Sequence, residues 1–324
     1  MRVLALVPPI ERHVGHWACS SPSIDVCRVL TGGDDAGGAV RDAARAFRPQ
    51  VVALAGRETA AYHALLDGLA ATVPELRDVP RAYRCQNTAL AGRLGGAVPA
   101  RARLAELSRW FADACDPRFD LVLVQTLTDV DLIRAALAPT LVAACPYGYD
   151  PAVFDPDLPP LERTVDVGCY FTPKDNARRG ELVRAAEEIC RRRGWTFRFE
   201  TGKYWHAYAD MVRTTKVCLH RSEHGEVPFR IYETTCLGAV FVTDPLGYGI
   251  ERLYRGGEEY LTYRPDLADL EEVLAGVLLN PARWMALSQA GRARAREYTW
   301  PRVAERYVAP ALRELLGRPV HGTL

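Results

Sequence analysis

Short apolar runs of four or five residues alternate with helix-length stretches along this chain of 324 residues, and the alternation stops once and restarts. Val3–Val7, Val51–Ala55, Arg81–Cys85, Leu121–Val124 and Leu141–Cys145 read as strands of the first half. Helical stretches Ala39–Phe47, Leu104–Ala114 and Asp129–Leu137 lie between them. Runs without polar alternation predict strands covered on both faces, and so parallel α/β sheets. The interruption is the stretch from Pro146 to Pro160, with five prolines in fifteen residues. Such a stretch is neither helix nor central strand, and it reads as an interdomain linker.

After it the pattern resumes. Val165–Phe171, Thr196–Glu200, Val217–His220 and Ala239–Thr243 are the expected strands. Arg179–Arg191, Ala207–Thr214, Pro228–Leu237, Asp269–Leu278 and a helix ending near Arg296 are the expected helices. Leu182, Ala186, Ile189 and Cys190 share one face of the first of these. Asp269-Leu-Glu-Glu272 has the spacing of a capping box. The length suits two ordinary domains. No Gly-x-Gly-x-x-Gly follows the first strand, so a dinucleotide site is not indicated there.

Composition narrows the class. A hydrophobic content of 48% with 25% charged residues is that of a soluble globular protein. A net charge of +1 gives no global attraction to nucleic acid or anionic membrane. No run approaches the ~20 apolar residues of a membrane span. The opening Met-Arg-Val-Leu-Ala-Leu-Val-Pro-Pro is broken by proline too soon for a signal peptide and reads as a strand. Nine scattered cysteines without a Cys-x-x-Cys pair fit reduced thiols in a cytoplasm rather than a metal site.

The segment Glu226-Val-Pro-Phe-Arg-Ile-Tyr-Glu-Thr-Thr-Cys-Leu-Gly-Ala-Val-Phe-Val-Thr-Asp244 carries the chemistry. It reads as loop, short helix, glycine stop and buried strand. Pro228 fits a first helical turn and Gly238 a left-handed stop. Phe229, Tyr232 and Cys236 fall at inward positions, while Arg230 and Glu233 share another face. A helix N-terminus and a guanidinium suit a diphosphate, and a carboxylate suits a sugar diol. An ordinary βαβ helix with a surface ion pair has the same pattern.

This segment resembles the donor-site segment of GT-B glycosyltransferases, especially group-1 and CgeB-like members, in which an Arg-x-x-Glu helix is followed by Cys/Ala-x-Gly and an apolar strand. Gly148, Asp150, Phe154 and Pro156 are similar to the family's hinge, and Tyr298-Thr-Trp to the turn before its last helix. The likeness spans about residues 145–305. It implies an α/β fold of two Rossmann-like domains whose parallel sheets face across a cleft. Residues 1–147 would form an acceptor domain, with 302–324 packing back on it, and 148–301 a donor domain. It implies transfer of a sugar from a nucleotide diphosphate sugar, the co-substrate, without a metal or other cofactor.

Loops at the carboxyl ends of second-half strands bring Lys174, Arg178, Arg179, Arg221 and Arg230 into reach of such a donor. The resemblance gives Glu233 the ribose hydroxyls, and Tyr248 and Gly249 a glycine-rich turn beside the donor. Many retaining members carry a glutamate eight positions before Glu233, where this chain has Gly225; Glu226 is the substitute to consider. An inverting route needs a base from the first half, and His16 and His13, after the first strand, are the candidates. The acceptor (glycan, small molecule or modified nucleic acid) is open. A nucleotide-binding scaffold without activity and a nucleotide-sugar epimerase are the rivals. Arg81, Arg84, Arg93, Arg101 and Arg103 would line a groove for DNA if modified bases were the acceptor.

Overall fold

The computed structural model describes residues 1–7, 19–31, 35–54, 59–84, 119–128, 130–138, 140–158, 161–173, 177–222 and 225–318. The expected helix at 104–114 lies outside them. The chain divides into two compact units: residues 1–146 with the segment from Trp300 onward, and Tyr147–Thr299.

The first unit runs β1 (Arg2–Val7), β2 (Asp25–Leu30), α1 (Ala36–Phe47), β3 (Val51–Leu54), α2 (Thr59–Ala70), β4 (Arg81–Arg84), β5 (Leu121–Val124), α3 (Val130–Leu137) and β6 (Leu141–Ala144). The strands form one sheet in the order β2-β1-β3-β4-β5-β6, and every pairing is parallel. Leu4, Leu6, Val52, Leu54, Val122 and Val124 are buried in one core with Val40 and Ala44 of α1. β2 was absent from the sequence-based expectation. It is an edge strand with one buried residue, Val29, so no apolar run marks it.

The second unit runs β7 (Val165–Cys169), α4 (Ala177–Arg193), β8 (Phe197–Phe199), α5 (Trp205–Arg213), β9 (Thr215–His220), α6 (Phe229–Cys236), β10 (Val240–Thr243), β11 (Leu261–Thr262), α7 (Leu270–Leu278) and α8 (Pro281–Ala295). Its sheet is also wholly parallel, in the order β11-β10-β9-β7-β8. Leu182 and Ala186 of α4 and Leu270, Leu274 and Val277 of α7 close over Val167, Cys169, Val217, Leu219, Val240 and Val242. The Asp269 capping box does not form: Asp269 precedes α7, but its carboxylate takes the Arg264 amide at 2.7 Å. α8 is capped by Asn280, which accepts from the Arg283 amide, with Pro281 in the first turn.

The proline-rich stretch is an ordered strap on the second unit. Asp150 closes its first turn by accepting from the Ala152 amide at 2.9 Å. Tyr149 and Phe154 are buried, and Arg292 of α8 donates to the carbonyls of Pro156 and Leu158. Arg163, just beyond, donates to the carbonyls of Val212, Thr215 and Leu237, tying together the ends of α5 and α6.

From Trp300 the chain rejoins the first unit as α9 (Trp300–Val303), a π turn (Ala304–Val308) and α10 (Ala309–Gly317). Pro310 has no N–H for the regular ladder, a common cause of such a turn. The Glu305 carboxylate accepts from the hydroxyls of Ser21 and Ser23 and from the Ser23 amide, which ties this segment to the approach to β2. Among the described residues no helix is long and apolar enough to cross a membrane.

Candidate functional site

The carboxyl ends of β7, β9 and β10 lie side by side in the second sheet, and their loops carry the polar residues singled out above. Each loop is held by specific bonds. Arg179, in the first turn of α4, is buried and donates Nε to the Arg221 carbonyl at 2.9 Å. Its guanidinium lies over the Phe171 ring, 5.7 Å from the centroid. Arg221 answers by donating Nη1 to the Arg178 carbonyl at 3.1 Å and Nη2 to the Pro265 carbonyl at 2.7 Å. Arg179 and the two terminal nitrogens of Arg221 bond main-chain oxygens and so brace the loops after β7 and β9, while Arg221 Nε is buried without a partner among the described residues. Arg178 is exposed beside them. Lys174, His13 and His16 lie outside the described residues.

A second brace joins β9 to β10. Asp244 is buried and accepts from the Ser222 amide at 2.9 Å and from its hydroxyl at 3.2 Å. The Ser222 hydroxyl in turn accepts from the Gly225 amide, and the Gly225 carbonyl accepts from Gly247 at 2.7 Å. Gly225 has φ +78°, a conformation that disfavours a side chain. A glutamate at this position, eight before Glu233, would be strained. Glu226, the next residue, is 8% exposed. Tyr248 and Gly249 both adopt left-handed φ, 60° and 86°, before a turn of 3₁₀ helix at Ile250–Arg252.

The third element is α6. Pro228 stands at its N-cap, one residue before the position expected, in extended conformation and with no side-chain cap. No acidic residue occupies the first turn, so its amides keep their partial positive charge. Phe229 does not pack inward: it is 36% exposed, its ring edge-on to Tyr147 at 5.9 Å. As the first helical residue it lies beyond the face that Tyr232 and Cys236 bury completely.

Arg230 is half-buried, its guanidinium over the Tyr208 ring at 4.7 Å and the Phe229 ring at 5.6 Å. It makes no ion pair with any described residue. Glu233 is 7% exposed, and its carboxylate has no hydrogen-bond partner among the described residues. Burial pushes it up to about 7, against the pull of Arg230. Helix end, guanidinium and unspent carboxylate therefore occur within one and a half turns.

Sequence reasoning did not single out His220, the last residue of β9. It is 3% exposed, and neither ring nitrogen has a partner among the described residues. Its ring stacks on Phe241 at 5.6 Å and stands edge-on to Phe171 at 5.9 Å. Burial, then Arg179 and Arg230, hold its pKa well below the usual histidine value, so it is neutral. The available signal was one polar residue closing an apolar strand. Tyr208 carried no signal.

Two of the five arginines considered for a DNA groove lie among the described residues. Arg81 pairs with Asp67 at 2.5 Å and meets His63 at 2.7 Å, and Arg84 is buried near the Trp300 ring. Arg93, Arg101 and Arg103 lie outside the described residues. No group of three His, Cys, Asp or Glu suited to a metal occurs among the described residues.

Residues 174–309 match the family model described as glycosyl transferase-like. The match takes in less than half of the chain, and the solved structures below share its GT-B fold. Solved GT-B structures of similar fold cover nearly the whole chain. Anabaena HepE, in complex with UDP and glucose, has a TM-score of 0.57 at 12% identity, covering 97% of this chain and 100% of that one. The same protein with UDP-glucose gives 0.56 at 11%, with the same coverage. A glycosyltransferase from Rickettsia africae gives 0.58 at 9%, over 98% of this chain and 99% of its own. Sucrose-phosphate synthase from Thermosynechococcus elongatus gives 0.53 at 14%, over 97% and 88%. No curated protein sequence matches the chain.

Proposed function

We propose that this GT-B chain transfers a sugar from a nucleoside diphosphate sugar, and that the second unit holds the donor at the end of α6. The observation that carries this is Glu233: a buried carboxylate without a partner among the described residues, three residues after a half-buried arginine and at an uncapped helix end. A fold has no structural reason to bury an unspent carboxylate at a cost of a few kcal/mol. A ribose diol supplies the missing donors, two O–H groups to an ionised carboxylate. The first-turn amides of α6 and the Arg230 guanidinium would meet the diphosphate, with Arg178 and Lys174 as further cations. Charge builds on the leaving diphosphate as the sugar bond breaks, and fixed donors aimed there lower the barrier. Arg179 and Arg221 act through the loops they hold, not by touching donor. HepE complexes with UDP-glucose make UDP sugars the first donors to test.

The test is calorimetry of UDP, GDP, TDP and ADP with wild type, Glu233→Ala and Arg230→Ala. Selective binding of one diphosphate, weakened about tenfold or more in each variant, is expected. Equal affinity in all three proteins would remove the assignment. The left-handed Gly225, in place of the family's glutamate, favours a second reading, a binding scaffold without transfer. Slow release of free sugar from the bound donor by the isolated protein separates the two.

A further inference from the structure

We propose that His220 is a donor-contacting residue of this site: its ring gives one N–H to a diphosphate oxygen. The inference rests on the donor reading above and adds to it a residue that no motif marks.

Three observations carry it. His220 closes β9, a central strand of the sheet, at the edge where the braced loops and α6 meet. Its ring is 3% exposed and both nitrogens are unspent among the described residues, although Ser222, Asp244, Tyr263 and Arg179 nearby all have partners. Even its own carbonyl is used, accepting from the Tyr263 hydroxyl at 2.7 Å. A buried donor and acceptor left unmade are costly, and a packed phenylalanine would serve the core better.

The setting also fits an anion. Phe171 and Phe241 fix the ring plane, and Arg179 and Arg230 supply positive potential around it. A charged imidazolium there would repel both guanidiniums, whereas a neutral ring still offers one donor. The backbone of His220 is fixed by its strand pairing opposite Thr243.

His220→Phe and His220→Gln separate this role from packing. Phenylalanine preserves the aromatic layer and removes the N–H; glutamine keeps a donor. Binding of the preferred diphosphate from the panel and of its bare nucleoside is measured by calorimetry and ligand-observed NMR. The phenylalanine variant is expected to melt no lower than wild type and to lose about tenfold or more of its diphosphate affinity. It should bind the nucleoside unchanged, and glutamine should recover part of the loss. Unchanged diphosphate affinity in the phenylalanine variant would overturn the inference while leaving the donor reading intact. Parallel loss of nucleoside and diphosphate would also overturn it, since that marks a collapsed pocket. A folded wild type that binds none of the diphosphates overturns the donor reading, and the inference with it.

Discussion

Glu233 and His220 depart from their ordinary ionisation in opposite ways. The Glu233 carboxyl rises to about 7 from 4.5, so the folded protein binds its proton more tightly than the unfolded chain does. Its contribution to stability is full below pH 4.5 and is lost as pH rises through 7, by about 3 kcal/mol. Glu233→Gln should therefore raise the melting temperature at pH 8 and leave it nearly unchanged at pH 4.5. A variant destabilised at both values would contradict the buried, unpaired carboxylate. The His220 pKa is lowered, so its neutral form is the stable one and stability is lost as pH falls below the ordinary value of 6.5. His220→Phe should flatten that acid limb in a melting series from pH 7.5 to 5. The Arg-x-x-Glu spacing placed Arg230 and Glu233 together on one short helix, as the structure has them. His220 was not legible in the sequence, since spacing cannot show which polar groups go unpaired. The same limit hid the fate of Arg221, whose donors are used by carbonyls 43 and 44 positions away in the chain.

At the level of elements, α6 owes its position to two glycines. Gly238 ends the helix with φ +77°, and an added Cβ would stand 3.0 Å from Arg163 Nη2 and 3.2 Å from Ser288 Oγ. Gly291 of α8 lets the two helices approach: a Cβ there would meet the Glu259 carbonyl oxygen at 2.8 Å and Thr235 of α6 at 3.3 Å. Gly238→Ala should cost about 1–3 kcal/mol, from backbone strain and the lost close approach. Gly291→Ala should cost a similar amount and also weaken diphosphate binding, because it pushes on the helix that carries Arg230 and Glu233. Thermal melts with and without UDP check both, and a Gly291→Ala protein with wild-type stability and affinity would refute the packing argument. Strands buried on both faces were read to within a residue or two, as at Val240–Thr243, because continuous burial leaves a continuous apolar run. Edge elements were not: β2 and the two-residue β11 bury too little to leave one.

For the whole molecule, two wholly parallel sheets follow from the two series of apolar runs, and the proline-rich stretch marked where one series ends. It did not show that this stretch packs on the second unit, which depends on Arg163 and Arg292 reaching distant carbonyls. The acceptor is the part least legible, since the histidines proposed from the sequence lie outside the described residues. The donor can be tested without it. A ligand that binds only the folded protein stabilises it by about 2.7 kcal/mol at a hundred times its Kd. The most direct measurement is titration of UDP and UDP-glucose into the wild-type protein and into Glu233→Ala, followed by calorimetry. Saturable binding by wild type, lost about tenfold or more in the variant while its fold is kept, is what a donor site at α6 predicts. Binding that is indifferent to Glu233, or a folded wild type that takes no nucleoside diphosphate, would contradict it.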